Sequence, residues 1–394
     1  MTTDLRSARD EHLHEHIESI YDELTDGLRL NLRVSDLVYA AAERYPGLVP
    51  TRDAIEAERE LPQKQKAGLE IDQGVFVAHV LAKPRIGFHL MHAMSQPRAE
   101  ALTYLETFRR KGHVDLGTML VERDGAIGRV TIQNHAFLNS EDDVSTSAFE
   151  TAVDLVLMDD QIEVGVVRGA PATHPKYEGR RIFGSGINLT HLYYGKISLV
   201  EFMIERELGG VSKMYRGHSV GDFDSTDLEQ RREKPWIAAV ETFAIGGGCQ
   251  LLCVVDRVLA EPGSYFNLPA SKEGFIPGAA NLRLPRLVGI KLAREGIFFE
   301  RAFEAESPEG RMICDAVVPA AEMDAAIERD ALQLVQAGMT STVANRKALR
   351  IAQEPLSIYR RYMATYARQQ ALCLYDPRLI HNLEHNWQPG RRHM

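Results

Sequence analysis

Three consecutive glycines at positions 246–248 are the clearest chemical signature in this chain. They follow an apolar run typical of a buried strand, Trp236–Val240, and they precede a helical pattern at residues 250–254. Glycine lets a ligand approach the backbone closely, and the first N–H groups of a helix have no partner within the helix. A strand, a glycine turn and a helix start in this order can therefore hold an anion or stabilise a developing oxyanion.

Two further motifs accompany the triple glycine. Residues 183–189 read Phe-Gly-Ser-Gly-Ile-Asn-Leu, and residues 276–280 read Ile-Pro-Gly-Ala-Ala. The order and spacing of the three motifs resemble the crotonase (enoyl-CoA hydratase/isomerase) superfamily. The resemblance implies an α/β fold with a crotonase-like ββα spiral core, a helical N-terminal domain and C-terminal helices used in oligomerisation. It also implies that the backbone N–H groups of Ile187 and Gly247 form an oxyanion hole for a thioester carbonyl.

The two glutamates that hydratases of this superfamily use are missing. The resemblance places them at Gln250 and Ala270, and neither residue can act as a carboxylate base. Simple hydration is therefore not expected, unless Glu273 takes that role.

The departures from the hydratase pattern resemble a cofactor-independent dioxygenase branch of the superfamily that serves antibiotic biosynthesis. They are the helical N-terminal region, the long interval between Gly186 and Gly247 with its Glu-Arg-Glu-Leu-Gly-Gly stretch, and Gln250. The resemblance implies conversion of 3,5-dihydroxyphenylacetyl-CoA and O2 to 3,5-dihydroxyphenylglyoxylate and free CoA through an enolate. It implies no cofactor, and the sequence shows neither a facial-triad spacing nor a flavin fingerprint.

Three polar residues have both a functional and a structural interpretation. The resemblance gives Arg206 a contact with a phenol oxygen or with developing charge, whereas the local pattern alone favours a solvated helix face. Glu141 is implied as a partner of a ring hydroxyl, or it caps the helix that follows. Gln250 contacts the substrate or O2, or it caps its own helix.

The other candidate substrate-binding residues lie in or beside the three motifs. His174, Lys176 and Tyr177 precede the first glycine motif, where the superfamily carries CoA. At least one of Lys176, Arg180 and Arg181 is expected to contact CoA, although all three could be ordinary surface charge. Phe275 and Ile276 are candidates for an apolar O2 pocket. The remaining candidates are His135, Ser185, Gly186, Asn188, Leu189, Gly246 and Gly248.

Two other functions stay open on the sequence alone. One is another crotonase reaction, an enoyl-CoA isomerase or a thioester hydrolase that uses Glu141 or Glu273 as its base. The other is a non-catalytic acyl-CoA-binding subunit that has lost its glutamates. Arg206 and Glu141 argue against this last function, because decay would not be expected to leave a matched polar set.

Composition limits the class of protein and its partners. The chain has 394 residues, of which 44% are hydrophobic and 26% charged, as in a globular protein of two domains. Its formal net charge of −9 disfavours nucleic acid as a partner.

No segment predicts a membrane span or a signal peptide, so a cytoplasmic location is expected. Cys249 and Cys253 are predicted to be buried apolar residues rather than metal ligands. The resemblance adds a homo-oligomer built on trimers, either a trimer or a hexamer.

The elements that position these residues fall into three predicted regions. Residues 1–115 show helical periodicity and form a helical N-terminal domain without a nucleotide or metal signature. Residues 116–325 alternate short strands with helices, as expected of the crotonase core. Residues 326–394 form a C-terminal helical region. Within the core, the periodicity predicts a helix at residues 144–158 and strands at 164–167, 236–240 and 257–259.

Overall fold

Two β-sheets form the framework of the computed structural model, which describes residues 3–226, 228 and 230–389. The strands in chain order are β1 (His113–Asp115), β2 (Met119–Asp124), β3 (Ile127–Ile132), β4 (Val164–Gly169), β5 (Gly184–Ser185), β6 (His218–Ser219), β7 (Arg231–Arg232), β8 (Trp236–Val240), β9 (Phe243–Ile245), β10 (Arg257–Ala260), β11 (Tyr265–Asn267), β12 (Phe303–Glu304) and β13 (Ala316–Val317). The larger sheet has the strand order β1-β2-β3-β4-β8-β10-β13, and the smaller has the order β12-β11-β9-β5. β6 and β7 form a separate antiparallel pair.

Helices surround the sheets. The N-terminal helices are α1 (Thr3–Leu24), α2 (Val34–Arg44), α3 (Arg52–Arg59), α4 (Glu70–Ala82), α5 (Pro84–Ser95) and α6 (Ala99–Lys111). The core carries α7 (Asp143–Met158), α8 (Leu189–Tyr193), α9 (Ser212–Arg216), α10 (Gly247–Leu252), α11 (Ala270–Glu273) and α12 (Ala280–Phe299). The C-terminal helices are α13 (Met323–Gln336), α14 (Met339–Gln353), α15 (Leu356–Leu374) and α16 (Pro377–Asn382). Among the described residues, no helix is both long enough and apolar enough to cross a membrane.

The central strands of the larger sheet are buried on both faces. β4, β8 and β10 are parallel, and every residue of β8 is buried. Residues of β8 alternate between two hydrophobic cores: Trp236 packs in the core that contains α7, and Ile237 in the core that contains α13. A continuous apolar run is the pattern of a strand covered on both faces, which is why Trp236–Val240 stands out in the sequence.

Arg206 lies within a helical stretch that has widened turns. Leu199–Ile204 and Glu207–Val211 are π-helical, and the second segment leads directly into α9. π-helical turns are rare and recur at functional sites, because they alter the direction in which side chains project. The interval between the two glycine motifs therefore contains an irregular helix rather than an extended loop.

The terminal helices share one hydrophobic core with this π-helical stretch. Buried residues of α1, α2, α4 and α5 pack with buried residues of segment 199–208 and of α15. α4 and α15 pack closely at Gly74, where an added Cβ would lie 2.6 Å from the Cβ of Ala371. Helices from the N-terminal and C-terminal regions therefore both pack against the segment that contains Arg206. The division into regions at residues 115 and 325 stays a prediction.

The structure confirms the predicted elements of the core and shifts several of their boundaries. The predicted helix at 144–158 is α7, and the predicted strands correspond to β4, β8 and β10. α10 begins at Gly247 rather than at Gln250, so two of the three glycines are already helical. The N-terminal helices end at Lys111, because Gly112 adopts a left-handed conformation, and residues 113–115 pair with β2 instead.

A buried charge cluster joins α7 to α9. Lys213 Nζ lies 2.8 Å from a carboxylate oxygen of Glu150 and 2.8 Å from one of Asp154. Arg33 reaches Glu150 from the N-terminal region at 2.8 Å. Burial opposes ionisation of Glu150, but the charges of Lys213 and Arg33 outweigh it and lower the pKa of that carboxyl. The buried carboxylates therefore depend on Lys213 for compensation.

Replacing Lys213 with Met should lower the free energy of unfolding by about 3–5 kcal/mol, because it leaves buried carboxylates without their central partner. Chemical denaturation of the wild type and the variant measures this difference. Lys111→Met is the matched control, because Lys111 is exposed at the end of α6, and it should change the free energy of unfolding by less than about 0.5 kcal/mol. A similar small effect of Lys213→Met would contradict the assigned role of the cluster.

Candidate active site

The two glycine motifs lie side by side in the smaller sheet. β5 and β9 are parallel, with Gly184 opposite Ala244 and Ser185 opposite Ile245. Ile187 and Gly247 each follow this last matched pair by two residues. Since parallel strands leave a sheet at the same edge, the register brings the two motifs together as the sequence predicted.

Glycine is required where the two loops meet. Gly186 and Gly246 have φ angles of 85° and 53°, in the region that other residues rarely adopt. A Cβ at Gly246 would lie 3.0 Å from the Cα of Gly186, and one at Gly248 would lie 3.2 Å from the Cα of Gly184. The loops can therefore approach each other this closely only without side chains at these positions.

The N–H groups of Ile187 and Gly247 donate to no acceptor within the described part of the chain. Gly247 is the first residue of α10, so its N–H lies outside the helical hydrogen-bond pattern. Ile187 is held from both sides: Glu141 N donates to Gly186 O at 2.8 Å, and Asn188 N donates to Glu141 O at 2.7 Å. Two fixed backbone donors without internal acceptors are what an oxyanion hole requires.

A narrow cavity of about 40 Å³ opens beside these N–H groups. Most of its walls are apolar, and a few polar groups could orient a ligand there. The apolar lining consists of Ile187, Phe202, Met203, Ile245, Ala270, Phe275, Ile276, Pro277 and Tyr366, and the polar lining of Glu141, Arg206, Glu207, Gln250, Glu273 and Gln370. Gly186, Gly246, Gly247 and Gly278 complete the wall. We call this space the acyl pocket.

Arg206 organises the polar side of the acyl pocket. Its Nε and Nη2 donate to the two carboxylate oxygens of Glu141 at 2.8 and 2.9 Å. Its Nη1 donates to Glu207 at 2.6 Å and to the side-chain oxygen of Gln250 at 2.9 Å. Its Nη2 also donates to Gly247 O at 3.0 Å. All five guanidinium N–H groups are thus used within the protein.

This network decides between the interpretations of the three polar residues. Arg206 is 4% exposed, so the solvated-face interpretation is wrong. Glu141 is not a helix cap, because Asp142 caps α7 through Ser145. Gln250 is not a cap either, because it lies inside α10, whose N-cap is Gly246. A direct bond from Arg206 to a ligand would require the loss of one internal bond, so its predicted substrate contact stays a prediction, and the structure gives it a positioning role.

Glu207 is a site residue that sequence reasoning missed. It is 1% exposed and accepts hydrogen bonds from Arg206 and, at 3.1 Å, from the backbone N–H of Ala279. The Tyr359 hydroxyl donates to its backbone oxygen at 2.6 Å. Glu207 therefore links the third motif and α15 to Arg206. The sequence did offer one signal for Glu207, because it directly follows Arg206 in the Glu-Arg-Glu sequence.

Residues from the C-terminal helices also reach the site. Tyr366 and Gln370 of α15 line the acyl pocket, and the Ile276 N–H donates to Gln370 at 2.9 Å. The Tyr366 side chain is 4% exposed, and within the described residues no partner is recorded for its hydroxyl. The C-terminal helices border this chain's own pocket, whereas their predicted use in oligomerisation stays a prediction. No local sequence signal could have identified Tyr366.

A wide groove of about 760 Å³ continues from the acyl pocket. Its lining includes the predicted oxyanion donor Ile187 and six of the predicted substrate-binding residues: His174, Lys176, Tyr177, Ser185, Asn188 and Leu189. Asn382, Asn386 and Trp387 form its C-terminal wall and were not predicted. Lys176 Nζ lies 4.9 Å from the centre of the Tyr177 ring, which places a cation beside an aromatic surface at the mouth. We call this space the outer groove.

Some predicted residues lie elsewhere. His135 is exposed and lines neither space. Gly248 packs against Gly184 and supports the loops without lining the acyl pocket. Arg180 donates to Glu241 O at 3.0 Å, and Arg181 donates to Gly169 O at 3.1 Å, so both are engaged by the backbone.

Cys249 of α10 is buried, whereas Cys253, the residue that follows α10, is half-buried. Desolvation raises the pKa of both thiols. In the described residues, no group of three or more His, Cys, Asp or Glu is placed to hold a metal ion. The cofactor-free reaction implied by the resemblance stays a prediction.

Known sequences are similar to this chain. The enoyl-CoA hydratase/isomerase family profile matches residues 208–370. The chain is 46% identical over 377 residues to a (3,5-dihydroxyphenyl)acetyl-CoA 1,2-dioxygenase of Amycolatopsis orientalis, and the match covers 96% of this chain and 86% of that protein. It is 36% identical over 132 residues to a peroxisomal fatty acid beta-oxidation multifunctional protein, MFP2, of Arabidopsis thaliana, which covers 33% of this chain and 18% of that protein.

Solved structures share the fold. An enoyl-CoA hydratase of Mycobacterium avium subsp. paratuberculosis K-10 superposes with a TM-score of 0.56 at 19% identity, covering 71% of this chain and 100% of that chain. OdaA of Pseudomonas aeruginosa superposes with a TM-score of 0.56 at 20% identity, covering 68% of this chain and 98% of that chain. These likenesses confirm the fold predicted from the three motifs.

Replacing Gly247 with Ala should disturb the pocket, because the added methyl group would overlap the Glu141 carboxylate. We expect a loss of about 1–3 kcal/mol in the free energy of unfolding, as is usual for overpacking. A double-mutant cycle with Glu141→Ala measures the specific contact, because removal of that carboxylate removes the overlap. The cost of Gly247→Ala should shrink in the Glu141→Ala background, and equal costs in both backgrounds would contradict the proposed contact.

Proposed function

This chain belongs to the crotonase (enoyl-CoA hydratase/isomerase) superfamily, and we propose that it is a dioxygenase that converts 3,5-dihydroxyphenylacetyl-CoA and O2 to 3,5-dihydroxyphenylglyoxylate and free CoA. The observation that carries the proposal is the 46% identity to the Amycolatopsis orientalis dioxygenase over 96% of the chain. That match extends beyond the crotonase core into the terminal helices, which pack against the helical stretch that contains Arg206. The amide Gln250 and the methyl group of Ala270, at the positions where hydratases carry glutamates, agree with a reaction other than hydration.

The first chemical step is loss of an α-proton. The aryl ring and the thioester carbonyl both acidify the α-C–H bond, and the electron pair of that bond moves onto the carbonyl oxygen. The N–H groups of Ile187 and Gly247 would bind the resulting enolate oxygen. Fixed donors aimed at developing charge lower the barrier, because they need no reorganisation during the reaction.

The second step joins the enolate carbon to O2. Two electrons from the enolate reduce O2 to a peroxide bound at the α-carbon, and the terminal peroxide oxygen then attacks the thioester carbonyl. The C–S bond breaks and CoA leaves as the thiolate. Loss of the second α-hydrogen with cleavage of the O–O bond gives the arylglyoxylate. We assign Phe275 and Ile276 to the apolar wall that O2 would meet.

The polar side of the acyl pocket would recognise the substituted ring. Both oxygens of Glu141 accept bonds from Arg206, but each carboxylate oxygen has further acceptor capacity and could receive a phenol O–H. Tyr366 lines the same pocket, and its hydroxyl could bond a second ring hydroxyl. Arg206 would fix Glu141 and Gln250 in place for these contacts.

The outer groove would hold CoA. Lys176 is a cation at its mouth for a phosphate, and Tyr177, Phe243 and Tyr265 offer aromatic surface beside it. We also retain as proposals a cytoplasmic homo-oligomer built on trimers and a reaction without a metal or flavin.

The direct test incubates the purified, chelator-treated protein with 3,5-dihydroxyphenylacetyl-CoA in air. O2 uptake, free CoA thiol and arylglyoxylate should appear in equal amounts, and 18O2 should label two oxygens of the glyoxylate. Release of CoA without O2 uptake would instead identify a thioester hydrolase. Activity that returns only when a metal or flavin is added would contradict the cofactor-free mechanism.

Arg206→Lys tests the positioning role. Lysine has three donors on one nitrogen and cannot replace the planar arrangement that reaches Glu141, Glu207 and Gln250. A lost charge-assisted hydrogen bond costs about 1.5–3 kcal/mol, so turnover should fall by roughly ten- to a hundredfold or more.

The substrate dependence shows which part of the site Arg206 supports. If Arg206 acts mainly through the Gly247 loop, phenylacetyl-CoA should lose about as much turnover as the dihydroxy substrate. A loss confined to the dihydroxy substrate would instead show that Arg206 serves recognition of the ring hydroxyls, and near-wild-type rates on both substrates would contradict the positioning role. Arg294→Lys, at an exposed position of α12, is the control and should leave both rates unchanged.

A further inference from the structure

Glu273 lies where the acyl pocket meets the outer groove. Three residues line both spaces: Ile187, Ile245 and Glu273. Ile187 carries one of the N–H groups assigned to the thioester oxygen. A substrate with its aryl group in the acyl pocket and its CoA in the outer groove must pass its thioester through this junction, beside Glu273.

The Glu273 carboxylate is unlike the other acids of the pocket. Glu141 and Glu207 are both bound to Arg206, whereas no hydrogen bond or ion pair is recorded for the Glu273 side chain within the described residues. The adjacent Lys272 lies 3.1 Å from Glu300 and is therefore directed to that residue. Glu273 is the acid of the pocket lining whose oxygens are left for a ligand.

The surroundings of Glu273 also suit proton transfer near neutral pH. Burial raises the pKa of its carboxyl to about 8, the charge of Glu300 adds to the rise, and Lys272 opposes it. α16 approaches the neighbouring Gly274 with the uncharged amide of Asn382. An acid whose pKa lies near the working pH can both accept and return a proton.

We propose that Glu273 is the base that removes the α-proton from the bound thioester. The proposal rests on the function proposed above and names a group that it leaves open. The C–H bond breaks, its electron pair forms the enolate held by Ile187 and Gly247, and the proton goes to a Glu273 oxygen.

The same carboxyl balances the later steps. Protonated Glu273 gives its proton to the CoA thiolate when the C–S bond breaks, which yields the free thiol. The regenerated carboxylate takes the second α-hydrogen as the O–O bond breaks, and that electron pair forms the new ketone. The proton is then released to solvent, so the substrate and O2 give arylglyoxylate, CoA thiol and one proton.

Exchange of the α-hydrogens isolates the first step. Without O2, wild-type protein in D2O should exchange the α-hydrogens of 3,5-dihydroxyphenylacetyl-CoA, as followed by mass spectrometry. Glu273→Gln should reduce the exchange rate at least a hundredfold, the usual size of a general-base contribution, and Glu273→Asp should retain part of it. Wild-type exchange should rise with pH towards about 8, since the ionised carboxylate is the base. Glu322→Gln, an exposed glutamate, is the matched control and should exchange at the wild-type rate.

Binding measurements make the result decisive. Calorimetry with the substrate under nitrogen should give affinities within about threefold for the wild type and Glu273→Gln, because the amide keeps the size of the side chain. Near-wild-type exchange by Glu273→Gln would overturn the proposal, and so would a loss of affinity as large as the loss of exchange. In either case, O2-dependent product formation by the wild type would leave the proposed function intact.

Discussion

The parallel pairing of β5 with β9 is the constraint on which the site depends. It places Ile187 and Gly247 at the same distance beyond Ser185 and Ile245, so two N–H groups from distant parts of the chain can face one oxygen. The pairing is very short, and the loops beyond it touch through glycine backbones. A side chain at either loop would separate the strands or turn an N–H away. The two N–H groups can therefore act together only because the glycines leave enough space for the loops to meet.

Arg206 connects that backbone arrangement to the rest of the molecule. A buried guanidinium is unfavourable unless its donors are used, and Arg206 uses all five. Burial disfavours its charge, but Glu141 and Glu207 outweigh that effect and raise its pKa. The carboxylate of Glu141 in turn approaches Gly247, and its backbone holds the Ile187 loop. The charge network and the backbone donors are therefore one unit.

The terminal helices form part of the wall of the acyl pocket and pack against the stretch that contains Arg206. α15 contributes Tyr366 and Gln370 to the acyl pocket, and it packs on α4 in the core that also holds the π-helical stretch. An enolate that is to meet O2 must be kept from water and from stray acids, and a covered pocket achieves this. Glu273 lies at the entrance of the acyl pocket and outside the Arg206 network, so the proposed base is separate from the residues proposed to bind the ring.

The sequence by itself determined the local features: the strand at Trp236–Val240, the glycine turns and the absence of glutamate at positions 250 and 270. These follow from side-chain type and short-range periodicity, and together with the family resemblance they were enough for the fold and the predicted oxyanion donors. Only the tertiary structure decided which polar residues meet. Arg206 resembled a surface residue because two of its partners, Glu141 and Gln250, lie 65 and 44 positions away. Tyr366 gave no signal because it belongs to α15, a helix distant in sequence from the three motifs. Long-range packing determined the positions of both Arg206 and Tyr366, and a local sequence pattern contains no information about such packing.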